Sequence, residues 1–165
     1  MKPVNLTKRL KTITDFIEKN ASVADIGTDH GYIPAYLAQT GTVHRLFATD
    51  ISEASLNAAR RTAAEYNVVN AITFYSAPGL DCIDPTDVDT IVIAGMGGET
   101  IRDILFSAPW TQAQGTRLIL QPQSKVYILF RFLYDKMYNI KIIRYVRDRG
   151  KRYIIVCAEG KSQYG

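Results

Sequence analysis

Two cysteines, two histidines and one tryptophan are all that this 165-residue chain holds of those types. Cys82 and Cys157 are too few for a disulfide framework or a cysteine-based zinc site, and in apolar surroundings both read as small core residues. No apolar run approaches the ~20 residues that a membrane-spanning helix needs. The opening stretch MKPVNLTKRLKTITDFIEKN lacks the apolar segment of a secretory signal. These absences point to a cytoplasmic protein. Internal repeats and low-complexity tracts are missing too, as are a Ser/His/Asp arrangement and any metal-ligand spacing. His44 has no evident partner.

What is present is the balance of a globular domain, with 47% hydrophobic and 22% charged residues and a length suited to one core. The net charge is +4 and the pI about 9.1, an excess that favours a polyanionic partner. Much of it sits in KIIRYVRDRGKR, where Lys141, Arg144, Arg147, Arg149, Lys151 and Arg152 stand against Asp148 alone. This is either a solvated hairpin tip or an edge that contacts nucleic-acid phosphates beside a site.

Leu6, Leu10, Ile13 and Ile17 recur at steps of three and four, so an amphipathic helix within residues 1–20 precedes a core over 21–160. Strands are expected at 22–26, 44–50, 71–76, 90–95 and 116–121. Helices are expected at 32–40, 52–67, 98–108 and 124–138, with Ser52 and Ser124 as N-caps. IKIIRYVRD and KRYIIVCAE, joined across Gly150, form a closing hairpin. The fold class is therefore α/β: a Rossmann-like, seven-stranded, mostly parallel sheet with helices on both faces, an antiparallel last strand and an N-terminal helix. The whole of 1–165 is expected to be one domain.

In an open α/β sheet, ligands bind at the carboxyl ends of the strands, and glycines and acids collect there. After the first strand come Asp25, Gly27, Thr28, Asp29, His30 and Gly31. A dinucleotide fingerprint wants glycine at 27, 29 and 32, but Asp29 and Tyr32 occupy the last two. A pyrophosphate would face the Asp29 carboxylate, whereas a cationic ligand without phosphate would be drawn to it. S-adenosylmethionine (AdoMet), with its ammonium and sulfonium, fits that requirement better than NAD. Asp50 ends the second strand about 20 residues beyond the glycine turn, where an acid accepts hydrogen bonds from ribose hydroxyls; Ile51 follows it. The turn Ala94, Gly95, Met96, Gly97 after the fourth strand reads as a wall of the cofactor cleft. Gln121 and Gln123 flank Pro122 after the fifth and carry the donor–acceptor pairs needed to read a base edge. His30 is a general base or a structural hydrogen-bond partner. Tyr32 stacks on a base or packs on its helix.

NLTKRLKTI, ADIGTDHGYIP, IAGMGGETI, RLILQPQ and YIIVCAEG, in this order, resemble the bacterial tRNA (adenine-22, N1)-methyltransferases of the TrmK type. The resemblance implies a class I methyltransferase fold, AdoMet as donor with S-adenosylhomocysteine (AdoHcy) as product, and tRNA as partner. It implies that Arg9 faces the cofactor cleft and that Pro78 and Gly79 lie beside the adenine. Asp29, Gln121 and Gln123 are then the residues nearest the chemistry. The sequence departs from the family at SAPGL, where Ala77 and Pro78 replace an acid and a glycine, and at QPQ, where the family usually has QPN. It ends at Gly165, before the helical extension that the family usually carries. Two other readings compete: a non-catalytic RNA- or protein-binding module on the same scaffold, and an NAD-dependent oxidoreductase.

Overall fold

The computed structural model describes residues 2–162. Its strands are β1 (Ser22–Ile26), β2 (Arg45–Asp50), β3 (Thr73–Ser76), β4 (Thr90–Gly97), β5 (Arg117–Ser124), β6 (Asn139–Asp148) and β7 (Lys151–Glu159). Its helices are α1 (Lys8–Asp15), α2 (Tyr32–Thr40), α3 (Glu53–Glu65), α4 (Gly98–Phe106) and α5 (Val126–Asp135). Short 3-10 turns at Val69–Ala71 and Pro109–Gln112 were not foreseen from the pattern. The sheet order is β3-β2-β1-β4-β5-β7-β6. β1 pairs in parallel with both β2 and β4, and β7 runs antiparallel between β5 and β6. The order reverses direction at β1 and β4, which makes their carboxyl ends the topological switch point where such sheets bind ligands.

Period-two alternation explains the two cores. Ile91, Ile93, Leu118 and Leu120 project to the face covered by Ile101, Leu105, Leu129 and Leu133 of α4 and α5. The residues between them, Val92 and Ile119, project to the other face, against Ile13 of α1 and Ile33 and Leu37 of α2. A one-residue slip of either strand would exchange these faces, so the pattern fixes the register. At the hairpin, Asp148 pairs with Lys151 and the two turn residues, Arg149 and Gly150, both have positive φ (52° and 78°). That is the tight two-residue turn whose twist matches the strands it joins.

Three expectations are corrected. β4 and β5 do not stop at 95 and 121: they continue paired through Ala94↔Gln121, Met96↔Pro122 and Gly97↔Ser124, with register shifts between these pairs. Glycine and proline there mark bulges in a continuing ladder rather than a loop. Ser124 consequently ends a strand and is not a helix cap; Lys125, left-handed at φ 48°, takes the cap position of α5 without a side-chain bond. Cys82 is exposed while Cys157 is buried, because Leu80 and Ile83 take the core positions of that turn. Ser52 does cap α3, its side chain accepting from the Ser55 N–H.

Gly31 shows why the first turn needs glycine. Its φ is +72°, and a Cβ there would lie 2.7 Å from the Ala59 Cβ and 2.9 Å from its Cα, where α2 meets α3. Gly31→Ala is expected to lower unfolding free energy by about 2–4 kcal/mol, combining left-handed strain with a backbone clash. A urea midpoint equal to wild type would contradict this packing.

Candidate active site

The carboxyl ends of β1, β2 and β4 surround a cavity of about 380 Å³. The acids come first. Asp25 is 4% exposed, and its Oδ2 accepts from the Thr28 hydroxyl at 2.8 Å. Burial pushes its carboxyl up to about 7; the Thr28 bond opposes this and the Asp50 charge adds to it. Asp50 is held by two backbone donors, Asp29 N–H to Oδ2 at 3.1 Å and Ser52 N–H to Oδ1 at 3.0 Å. Each oxygen keeps a lone pair for a ligand. The β1 turn is pinned to β2 by Gly27 and Thr28 N–H groups that both donate to the Thr49 carbonyl at 2.9 Å. This leaves Asp29, with φ 56°, at the rim with its side chain 71% exposed. His30 stands beside it, its Nε2 3.9 Å from the Asp29 carboxylate.

The opposite wall is built by Ala94, Gly95 and Met96. The Met96 Cε lies where a Cβ on Gly27 would be, 2.1 Å from that position. That methyl is the end of a flexible side chain, so the demand for glycine at 27 comes from its φ of +70°.

Arg9 closes one end through a relay. Thr7 caps α1 by accepting from Leu10 N–H, and the Asp148 carboxylate of the hairpin accepts from Arg9 N–H at 3.0 Å. An anion at this helix start complements the free N–H groups and the macrodipole. The anchored Arg9 donates through its guanidinium to Gln121 Oε1 at 2.7 Å, and the same oxygen accepts from Gly95 N–H at 3.1 Å. Gln121 is 1% exposed, and its amide nitrogen donates to the Pro122 carbonyl. It is thus a buried bridge between α1 and the β4 wall and has no free edge to offer a base.

The cavity brings together Arg9, Asp25, Gly27, Thr28, Asp29, His30, Asp50, Ala94, Gly95 and Met96, along with Tyr32. It leaves out others that the sequence suggested. Gly31 packs on Ala59, Ile51 is 76% exposed beyond Asp50, Gly79 faces Ile104, and Gly97 caps α4 beside Ser124. Pro78 is exposed next to buried Ala77, whose N–H donates to the Asp50 carbonyl. Leu10 and Ile33 line the cavity and were missed. The signal for Leu10 was its place beside Arg9 on an amphipathic helix; Ile33 read only as core. Gln123 lines a separate cavity beside Lys151, Arg152 and Tyr153.

The family model for a methyltransferase domain matches residues 6–156. A tRNA (adenine(22)-N(1))-methyltransferase of Bacillus subtilis is 31% identical over 159 residues, covering 96% of this chain and 67% of that protein. The crystal structure of the B. subtilis M1A22 tRNA methyltransferase TrmK superposes with a TM-score of 0.90 at 31% identity, over 97% of this chain and 68% of that one. The structure of M. capricolum TrmK in complex with S-adenosyl-homocysteine gives 0.84 at 25% identity, over 95% and 70%. With its switch-point cleft, its acid-ended β1 and β2 and these matches, the chain belongs to the methyltransferase-domain family, in the branch of the tRNA (adenine-22, N1)-methyltransferases.

Proposed function

We propose that the protein is an AdoMet-dependent methyltransferase acting on N1 of an adenine in tRNA. The observation that carries this reading is the cleft itself: Asp25, Asp29 and Asp50 meet at the carboxyl edge of β1 and β2. A dinucleotide pyrophosphate would face these acids, which weighs against NAD, while the ammonium and sulfonium of AdoMet would be attracted to them.

The residues present fit AdoMet. Asp50, already oriented by two N–H donors, would accept from the ribose hydroxyls. Asp25, Asp29 and the turn around Gly27 would take the methionyl ammonium, and Arg9 would balance the methionyl carboxylate. Ala94, Gly95 and Met96 would flank the sulfur. Ala77 and Pro78 supply no side-chain acid at the adenine, which leaves backbone groups of that turn to meet its edge. Bound there, AdoMet supplies a methyl group on a positively charged sulfur.

Adenine N1 carries a free lone pair when the base is neutral, so no base is needed before attack. The contribution of this chain would then be orientation of the acceptor base against the donor. Methylation would leave the ring positively charged, and exposed Asp29 at the rim would offer a compensating carboxylate. N1 lies on the Watson–Crick edge, so the adenine must be unpaired and drawn out, with Tyr32 (41% exposed) available to stack on it. Gln121 acts indirectly, as a positioning residue for Arg9 and Gly95, and Gln123 is free to meet a base edge. Lys141, Arg144, Arg147, Arg149, Lys151 and Arg152 are all exposed and would contact tRNA phosphates, which makes binding fall steeply with salt. In this reading the tRNA is met in the cytoplasm.

The test is methyl transfer from labelled AdoMet to bulk tRNA, followed by nucleoside mapping. 1-Methyladenosine is expected. Methylguanosine or a methylated protein would overturn the substrate, and failure to bind AdoMet would favour a non-catalytic module.

A further inference from the structure

β5 and β7 pair only from Arg117↔Glu159 to Leu120↔Val156, whereas β6 and β7 stay paired out to Asp148↔Lys151. β5 runs on to Ser124 without pairing to β7, so the two strands splay apart there. Beside this divergence lies a cavity of about 870 Å³, lined among others by Pro122, Val126, Ile154, Tyr145 and Tyr153. Lys151, Arg152 and Gln123 form its rim. Tyr145 is 61% exposed on β6, the edge strand of the sheet, so its ring is open to a partner. The guanidinium of Arg152 lies 5.1 Å from the centre of the Tyr145 ring, and that of Arg9 lies 5.2 Å from the centre of the Tyr153 ring.

The same Arg9 lines the AdoMet cleft and donates to Gln121. Arg9 thus lines the first cavity while stacking on Tyr153, which lines the second, so the two cavities are neighbours. One has acids suited to a cationic donor. The other has aromatic faces, cations and an amide, the combination that holds unpaired nucleotides by stacking on the base and pairing with its phosphate.

We propose that this second cleft is a stacking subsite for an unpaired RNA nucleotide next to the target adenine. The base would stack on Tyr145, its phosphate would meet Lys151 and Arg152, and Gln123 would contact its edge. Lying beside the donor cleft, the subsite would grip the strand and help set which base enters that cleft. The inference rests on the tRNA methyltransferase reading for its ligand, but it has its own readout.

Tyr145→Ala and Tyr145→Phe are compared with wild type for binding to a tRNA transcript, a short single-stranded RNA and an RNA duplex of equal length. Calorimetry with AdoHcy runs alongside. Tyr145→Ala removes a base–aromatic stack and is expected to weaken binding of the transcript and the single strand by about tenfold. The duplex and AdoHcy affinities should stay as in wild type, and Tyr145→Phe should keep binding to both single-stranded and transcript RNA. Unchanged single-strand affinity in Tyr145→Ala, or an equal loss on the duplex, would overturn the subsite. If wild type binds these RNAs with the expected Tyr145 dependence but transfers no methyl group to tRNA, the enzymatic reading fails and the stacking subsite stands.

Discussion

Asp50→Ala is expected to weaken AdoHcy binding about 100-fold, close to 3 kcal/mol. The loss has two parts. One is the charge-assisted hydrogen bonds to the ribose hydroxyls, each typically worth ~1.5–3 kcal/mol. The other is the latch on the glycine turn, because Asp50 also accepts from Asp29 N–H and Ser52 N–H. The fold should tolerate the change, since Ser52 still caps α3 through its own side chain. Asp50→Asn keeps one acceptor oxygen and should fall between the two. Calorimetry on folded variants checks this series, and wild-type affinity in Asp50→Ala would remove Asp50 from the cofactor site.

Asp25→Asn should change stability and binding in opposite directions. Burial holds the Asp25 carboxyl at about 7, against 3.8 for a free carboxyl. A group raised in the folded state stabilises it fully below pH 3.8, and that contribution is lost as pH rises through about 7. At ~1.36 kcal/mol per pH unit, carrying this buried charge at pH 8 costs roughly 4 kcal/mol. Asparagine never ionises and can still accept from the Thr28 hydroxyl. The variant is expected to be about 2 kcal/mol more stable than wild type at pH 8, with no such gain at pH 4. It should bind AdoMet at least tenfold more weakly, because the ammonium loses its buried counter-charge. In wild type, binding a cation must ionise Asp25, so AdoMet affinity should fall as pH drops below about 7, with proton release on binding. A variant less stable than wild type at pH 8 with unchanged affinity would mean that Asp25 is a structural hydrogen-bond acceptor alone. Such a stability–function conflict is common where a site keeps a charge that the fold would rather not bury.

The alternation of apolar strands with helical segments was enough to read the sheet and its closing hairpin, because the central strands β1, β2, β4 and β5 are buried apolar runs. Asp25, Gly27, Asp29 and Asp50 were legible as lining of the cleft because ligands of such a sheet bind at the carboxyl ends of its strands. What could not be read was pairing beyond local pattern. The bulged continuation of β4 and β5 depends on each strand supporting the other, so Gly95, Gly97 and Pro122 looked like loop residues. Gln121 looked like a base reader because its amide is chemically suited to that work, but Arg9, far away in sequence, takes its oxygen. Asp148 looked like a stray acid in a basic run. Its partner is the N-terminus of α1, a contact that no window of sequence contains. Gly31 was legible as a turn glycine, and its φ is +72°, but its packing on Ala59 was not.

The most direct measurement is a crystal structure of this chain with AdoHcy. The ribose hydroxyls are expected on the Asp50 carboxylate, the amino group on the Asp25 side of the Gly27 turn, and the sulfur between that turn and Ala94–Met96. A nucleoside bound elsewhere on the surface, or one whose ribose is held by groups other than Asp50, would contradict the assignment of this cleft.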